Sequence, residues 1–540
     1  MTNNTKLGVG ALQNNSGNNN TGIGAYASYD NTSSFNNTAV GSNSSFFNTT
    51  GANNTSIGAG SMCNNKTGSL NTAVGSSALE GTTPATSVGI NNVAIGVQAL
   101  YTNSGDNNTG VGSYGLINNT TGEYNTSLGY QSLYNNTTAS NNTAVGSQSL
   151  YENKTGENNT AVGYQSLYNN TSGEYNTSVG NLSLRANTTG INNTALGYQS
   201  LHGNTMGAFN TAVGVKSLFD NNASNNTALG YQALGFNTTA SNNTAVGDRC
   251  LLQNRTGAYN TAVGTQCIGN NVAGENNTGL GYKALYNTNS SNNTAVGYLS
   301  LEDNITGQYN TSLGSQSLAN NNASNNTAVG YQSLGTNETG TSNTAVGYQS
   351  LANNNASNNT AVGYQSLGGN TNGIGNVGLG QDAGNTNTSG EYNTYIGTNT
   401  DANANNYSYS TAIGYNSQIT ASNQMVLGGD NGSGTYPDVI IPGNATANSY
   451  QSSSDYRLKT NIKSLNKNYT VDNLNPIEYD MKDRHDMGFL AHEVEEHYPF
   501  LVNGEKDGEK MQSINYNGFI ALLVKEIKDL KERIKILEEK

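Results

Sequence analysis

The amino-acid sequence predicts a mainly β protein, in which a parallel β-roll or β-solenoid array precedes a small α/β domain that ends in a coiled-coil helix. Three observations lead to this prediction. A short repeat fills residues 1–429, this repeat is rich in Asn, Thr, Ser and Gly, and the composition changes abruptly near residue 454. We therefore expect a repeat array at 1–429, a linker with a short β stalk at 430–453, and a globular domain at 454–540.

The repeat is defined by the string Asn-Thr-Ala-Val-Gly and its variants, which return every 16 or 17 residues over most of the array, with one step of 21. One unit, residues 142–158, reads NTAVGSQSLYENKTGEN, with Val145 and Leu150 as recurring apolar positions and Gly146 and Gly156 as recurring glycines. A unit of this length is too short for a pair of helices. We predict two short β segments, joined at corners where Gly and Asn accept positive φ angles.

A single coil of this kind cannot bury its Val and Leu side chains, so successive coils must stack. Roughly 25 coils spaced by about 4.8 Å would pair each backbone with the next and place Val on Val, Leu on Leu and Asn on Asn. Because side chains alternate along a strand, Thr143 and Val145 face one way and Ala144 the other. We expect the ladder of Ala to mark a close contact between subunits, and we predict a homotrimer on this basis.

Charge and composition argue against several classes of function. The net charge of −13 is spread thinly, and no cluster of Lys and Arg precedes residue 454, so nucleic acid is not expected as a partner. No apolar run is long enough to span a bilayer, and residues 1–20 lack the features of a signal peptide, so neither membrane insertion nor secretory export is expected. The four His residues lack metal-ligand spacing, and neither a metal nor another cofactor is expected.

The three cysteines, Cys63, Cys250 and Cys267, are too few for a disulfide framework. Cys250 and Cys267 lie one repeat apart and would therefore stack on neighbouring coils. We interpret the cysteines as small, buried or half-buried replacements for Ser. A disulfide or a redox role is the alternative.

Two chemical interpretations of the array have structural alternatives. Asn-x-Thr/Ser sequons recur throughout and could be glycosylated, but Asn is also the natural residue of ladders and corners. A glycan-cleaving enzyme built on a β-solenoid would need carboxylates clustered on one coil face, and the array has few charged residues. We therefore interpret the array as structural.

The repeat resembles the head domains of trimeric autotransporter adhesins, in which shorter units like the STAIG of 410–414 build left-handed parallel β-rolls. Most units here are about three residues longer. The resemblance implies a trimer and gives the alternative function, a cellular adhesin located at the cell surface. An adhesin of this type carries an export signal and a membrane anchor, and no segment of this sequence has their features.

The last residues, IALLVKEIKDLKERIKILEEK, carry apolar side chains at alternating steps of three and four. This spacing predicts a coiled-coil seam with Lys and Glu on the outer positions. Ile at one seam position and Leu at the other would by themselves favour a dimer. A helix packed on its own domain is the alternative. The seam residues are Ile520, Leu523, Ile527, Leu530, Ile534 and Leu537.

Four segments of the C-terminal domain carry a second resemblance. They read SSSDYRLKTNI at 452–462, LNPIEYD at 474–480, MGFLAHEVEEHYPFLV at 487–502 and INYNGFIALLVKEIKDL at 514–530. In this order they resemble the intramolecular chaperone domain of endosialidases and other phage tail-fibre proteins. The resemblance implies a domain that trimerises, guides folding of the β-rich part before it, and then releases itself by cutting one peptide bond.

The resemblance also implies site residues. The Ser-Asp-x-x-Leu-Lys motif of the family places the cut at the Ser453–Ser454 bond, with Ser454 as nucleophile and Lys459 as general base. Asp455 would hold the turn. The family usually has Gln where this chain has His492. Ser-Asp before an apolar residue is also typical of the start of a helix or turn, which is the structural alternative.

These observations predict a trimeric tail or surface fibre of a virus or phage, located on the virion. Its function would be host attachment, with a virion docking protein and a host receptor or glycan as partners. The enzymatic activity would be limited to a single self-cleavage by a Ser/Lys peptidase. A trimeric fibre that is not cleaved remains an alternative.

Overall fold

A computed structural model describes residues 3–83, 88–430, 439, 459–481, 484–508 and 511–540 of the chain. The chain divides into two compact units, Met1–Ile440 and Ile441–Lys540. The predicted linker and stalk at 430–453 lie almost entirely outside the described residues.

In its described residues, the first unit is a parallel β-solenoid whose coils each contribute one three-residue strand to a single sheet of 26 strands. Neighbouring strands pair in register, so that Thr160, Ala161 and Val162 lie beside Thr143, Ala144 and Val145. The predicted fold class and the predicted stacking of like residues are thus confirmed. The strands are Thr5–Leu7, Thr21–Ile23, Thr38–Val40, Thr55–Ile57, Thr72–Val74, Val93–Ile95, Thr109–Val111, Thr126–Leu128, Thr143–Val145, Thr160–Val162, Thr177–Val179, Thr194–Leu196, Thr211–Val213, Thr227–Leu229, Thr244–Val246, Thr261–Val263, Thr278–Leu280, Thr294–Val296, Thr311–Leu313, Thr327–Val329, Thr344–Val346, Thr360–Val362, Val377–Leu379, Thr394–Ile396, Thr411–Ile413 and Met425–Leu427.

The prediction of two β segments in each coil is wrong for most coils. After the strand, the chain enters a run in which alternate residues have positive φ angles, such as Gln148 at 55° and Leu150 at 50°. These residues still pair with neighbouring coils, because the Leu150 N–H donates to the Ser166 carbonyl at 3.0 Å. Among the described residues of the solenoid, a second strand occurs only as two-residue parallel pairs, Asn287–Thr288 with Asp303–Asn304 and Asp401–Ala402 with Gln418–Ile419.

The glycine after each strand allows the coils to approach closely. Gly146 has a φ of 129°, which L side chains rarely adopt. A Cβ built on Gly146 would lie only 2.6 Å from the carbonyl oxygen of Gly163 in the next coil. Both the backbone angle and the spacing of the coils therefore require Gly at this position.

Except in the first and last strands, the central residue of each three-residue strand points into the coil, and in most coils it packs with the Leu of the following run. Ala144 and Leu150 are both fully buried and belong to one hydrophobic core. Gly110 holds the central position in its own strand, and a Cβ built there would lie 3.2 Å from Leu100 Cγ. The Ala ladder is thus part of the core of a single chain, and the prediction that it forms a contact between subunits is wrong.

Two ladders of buried Asn side chains hold the coils together. The N–H of Asn159 donates to Oδ1 of Asn142 at 3.0 Å, and Nδ2 of Asn142 donates to the Gly156 carbonyl at 3.0 Å. In the second ladder, Nδ2 of Asn153 donates to Oδ1 of Asn136 at 3.1 Å. Since a buried amide without partners would cost roughly 1–3 kcal/mol, these bonds are what allow so polar a sequence to have a core.

The outer residues of the strands form two rows on one face of the solenoid, one of Thr and one of Val, Leu or Ile. Thr143 and Val145 are half-buried, while Leu128, Leu196 and Leu313 are each 47% exposed. An apolar row therefore runs along the sheet on the outside of the chain.

The cysteines are free, and two of them occupy the position that Ser149 holds in its own coil. Cys250 and Cys267 are fully buried, and Cys63 is half-buried at the position of Tyr151. Burial raises the pKa of Cys250 to about 11 and raises that of Cys267 further. The buried position of Cys250 and Cys267 agrees with their interpretation as small replacements for Ser, whereas for Cys63 that interpretation is wrong, because it stands where other coils carry Tyr.

We expect Cys250 and Cys267 to resist alkylation by iodoacetamide in the folded protein at about pH 8. The thiolate is the reactive form, and a pKa raised from 9.0 to about 11 lowers its fraction about a hundredfold. Mass spectrometry of labelled peptides measures the reaction. In denaturant all three cysteines should react, and rapid labelling of the two in folded protein would contradict this assignment.

The second unit is small and mixed. A hairpin pairs Ile477–Met481 with Arg484–Gly488, and a two-residue antiparallel pair joins Val502–Asn503 to Ser513–Ile514. The described residues of this unit also form the α-helices α1 at Ala491–His497 and α2 at Tyr516–Glu538 and short 3₁₀ turns at Val471–Asn473 and Pro499–Leu501. Within the described part of the chain, no helix has both the length and the apolarity needed to cross a membrane.

Candidate self-processing and assembly site

The C-terminal unit is held together by a small aromatic core. Val494, Tyr498, Leu501, Phe519 and Leu522 are its buried members. The Tyr498 hydroxyl donates to the Thr470 carbonyl and accepts a hydrogen bond from the Thr470 N–H. Tyr498 therefore connects α1 to the segment before the hairpin, a role that the sequence analysis did not assign.

Only the first turns of α2 pack on this core. Phe519 and Leu522 are its buried residues, and the rings of Phe489 and Phe519 lie 5.2 Å apart. A Cβ built on Gly518 would lie 2.2 Å from Leu501 Cδ2, so Gly allows the helix to begin close to the core. The sequence KEIKDLKERIKILEE beyond these turns consists largely of strong helix formers, which explains why the helix continues without packing.

The six predicted seam residues lie in α2 and are exposed, from 46% at Ile534 to 69% at Leu537. The alternative, in which the whole helix packs on its own domain, is therefore wrong beyond the first turns. On the outer side, Lys525 forms an ion pair with Asp529 at 3.0 Å. A long helix with one charged face and one exposed apolar face has the pattern of a helix of a coiled coil.

An apolar pocket of about 440 Å³ adjoins the beginning of this seam. Val471, Leu474 and Phe489 line one part of it, and Ile520 and Leu523 belong both to the pocket and to the seam. The apolar surface of the helix thus continues into the body of the unit. This continuity gives a partner helix more surface to cover than the seam alone.

The predicted cleavage residues can be placed only in part. Ser453, Ser454 and Asp455 lie outside the described residues, so the geometry of the proposed nucleophile stays a prediction. Lys459 is described and is exposed. The predicted self-cleavage site therefore rests on its sequence motif alone.

The histidines of this unit show no metal centre among the described residues. His485 lies on the hairpin, with Nδ1 at 2.9 Å from Oδ1 of Asp480, and is exposed. His492 lies in the first turn of α1, at the position where the family usually has Gln, and is half-buried. His202 belongs to the solenoid, where its ring stacks on Phe219.

The architecture defines the chain as a β-solenoid repeat protein with a separate C-terminal unit that exposes an apolar helix face. Residues 454–503 match the family model described as chaperone of endosialidase. The match covers 50 residues and includes the hairpin and α1, which confirms the predicted resemblance of this segment to the family. The chain matches no curated protein.

Proposed function

We propose that the chain is the subunit of a trimeric fibre, and that its C-terminal unit directs assembly and is then removed by self-cleavage. The observation that carries this proposal is the match of residues 454–503 to the chaperone of endosialidase family, following a solenoid of 26 strands in the same chain. Each coil pairs only with its neighbours, so an incomplete stack exposes an unpaired strand edge, and near-identical repeats can pair with the wrong coil or the wrong chain. Folding of a solenoid of this length would therefore benefit from an intramolecular chaperone.

Two exposed apolar surfaces support association with further copies of this chain. One is the row of Val, Leu and Ile on the solenoid, and the other is the seam of α2. Both have the same chemistry along their length, so identical chains in parallel can match them position by position. In the proposed trimer these two surfaces, and not the Ala ladder, form the contacts between subunits.

Self-cleavage would begin with attack of Ser454 Oγ on the carbonyl carbon of Ser453. The acyl group moves from the backbone nitrogen of Ser454 to Oγ, and the proton of the hydroxyl passes to the general base and then to the leaving amine. Water hydrolyses the resulting ester and frees a Ser453 carboxylate, while Ser454 recovers its hydroxyl. Lys459 is the proposed base.

The exposure of Lys459 supports an order for these events. Lysine acts as a base in its neutral form, which burial favours, and Lys459 is exposed in the single chain. A surface from another copy would have to cover it. We therefore place cleavage after trimerisation, so that the C-terminal unit is not removed before it has directed assembly.

The fibre would serve as a host-attachment structure on the virion of a virus or phage. Support comes from the family match together with an array that offers a long, repetitive outer surface. A docking protein on the particle and a receptor or glycan on the host are the partners that such a role requires.

We expect the expressed chain to yield a fragment of about 453 residues, and Ser454→Ala to remain at full length. Ser452→Ala is the matched control, because it removes a hydroxyl two residues from the nucleophile and should be cleaved like the parent. Gels run with and without boiling measure both the length and the detergent-resistant trimer.

The outcomes separate the parts of the proposal. A parent chain that stays intact while trimeric contradicts self-cleavage and leaves the chaperone role standing. A chain that is truncated after Ser449 and still trimerises as well as the parent contradicts the chaperone role.

A further inference from the structure

A polar groove of about 510 Å³ runs across successive coils of the solenoid between Gln316 and Asn385. Its floor consists of Ala319, Gly335, Ala352 and Gly368. Each of these follows the buried Leu of its coil. The groove is therefore a feature of one chain.

The groove exists because the position after the buried Leu carries only Ala or Gly in these coils, whereas other coils carry large side chains there. Tyr134, Tyr151 and Tyr168 occupy it in three successive coils, with ring centroids 4.9 and 5.0 Å apart. These rings cover the coil surface. Where Ala and Gly take their place, the same surface is open to solvent.

One wall of the groove is a ladder of Gln side chains. Nε2 of Gln332 donates to Oε1 of Gln316 at 3.1 Å, Gln349 donates to Gln332 at 2.9 Å, and Gln365 donates to Gln349 at 3.1 Å. A primary amide has two N–H donors and two acceptor sites, so each inner Gln keeps one of each for a ligand. The ladder holds these groups in place before any ligand binds.

The opposite side carries Asn320, Thr336 and Asn353, and none of the described residues that line the groove has a charged side chain. Beside the Gln wall, Tyr331, Tyr348 and Tyr364 precede their Gln residues in the chain and stack at 5.3 and 5.2 Å. They are 41–47% exposed. Uncharged amides suit a ligand that is rich in hydroxyl groups, and the Tyr rings, which do not line the groove itself, offer apolar faces beyond the Gln wall.

An extended peptide fits this groove less well. The backbone of the floor is already paired between coils, as where the Thr336 N–H donates to the Ala352 carbonyl at 3.2 Å. It therefore offers no free edge for an added strand. The floor also lacks the separate apolar pockets that side chains of a peptide would fill.

We propose that this groove binds a linear, uncharged oligosaccharide, laid along the direction in which the coils stack. The coil spacing of about 4.8 Å repeats the same amide pair at regular intervals, as a polymer of sugar units requires. The inference rests on the host-attachment part of the proposed function, and it is independent of cleavage because the groove lies within the solenoid of one chain.

The test compares the parent with groove variants on an array of neutral gluco-, manno-, galacto- and N-acetylglucosamine oligosaccharides, with sialylated and sulfated glycans beside them. Ala319→Tyr with Ala352→Tyr fills the groove with a side chain that other coils carry at this position. Gln349→Met removes one amide of the wall, and Gln148→Met is its matched control in a coil covered by the aromatic column. Titration calorimetry with the best neutral ligand gives affinities.

We expect at least one neutral linear glycan to bind, the filled variant and Gln349→Met to lose about tenfold or more in affinity, and Gln148→Met to bind like the parent. Binding of no glycan, a preference for charged glycans, or parental affinity in the filled variant overturns the inference. Sedimentation of the same samples measures their oligomeric state and so distinguishes failure of the proposed trimer from failure of the proposed glycan site. A trimer that binds nothing contradicts the groove alone, and a monomer that binds contradicts the trimer alone.

Discussion

Replacement of Gly163 by Ala is expected to destabilise the coils around it by more than about 3 kcal/mol. Gly163 follows its strand with a φ of 133°, and a Cβ built there would lie 2.5 Å from the carbonyl oxygen of Gly180. The coils cannot move apart to relieve this contact, because the Gly180 N–H donates to the Val162 carbonyl at 2.8 Å. Backbone strain and steric overlap therefore act together.

Gly335→Ala is the matched control for this substitution. Its Cβ would lie 3.3 Å from the nearest atom, the Gln332 carbonyl oxygen, and neighbouring coils already carry Ala319 and Ala352 at the same position. We expect its effect to stay within about 1 kcal/mol.

Hydrogen exchange measured by mass spectrometry reads the result coil by coil, which suits a repeat protein whose units contact only their neighbours. Faster exchange should centre on the strands Thr160–Val162 and Thr177–Val179 in Gly163→Ala. Equal exchange in Gly163→Ala and the control would show that close stacking at this glycine is not what holds the coils.

Much of the solenoid could be predicted because periodicity alone determines which residues stack. Alternation along Thr143, Ala144 and Val145 showed which residues share a face, but it could not show which face is inside. The inside is decided by Leu150, which returns to the same side as Ala144 after a run with positive φ angles. Leu rarely adopts such angles, so local propensity argued for a second strand and the stacking of coils overrode it.

The C-terminal unit could be predicted from its motifs and from the heptad spacing of α2. The spacing predicted the seam residues, and the structure shows that Phe519 and Leu522 are the buried residues of the helix. The groove of the solenoid was not predicted. The groove arises because Ala319 and its equivalents have small side chains. The sequence alone could not indicate a groove there, because it does not show that Tyr151 covers the same position in its own coil.

The substitution Ile527→Asp is expected to abolish the trimer while leaving each chain folded. Ile527 is 53% exposed, so the change removes little packing within the chain. In the proposed trimer it would instead place an Asp from each chain in the apolar seam. An uncompensated buried charge costs about 3–5 kcal/mol, which is enough to weaken association by more than about a hundredfold.

Lys528→Asp is the matched control, because it introduces the same side chain one residue away on the outer face of the helix. It distinguishes an effect on the seam from an effect on the stability of the helix. Circular dichroism should show both variants to be equally helical, while sedimentation should find a trimer only for Lys528→Asp. If cleavage requires a second copy to cover Lys459, Ile527→Asp should also remain uncut and Lys528→Asp should be processed normally. If the Ile527→Asp protein is still trimeric, the seam of α2 is not part of the assembly surface. If the Ile527→Asp protein is monomeric but fully cleaved, cleavage at Ser454 needs no partner chain.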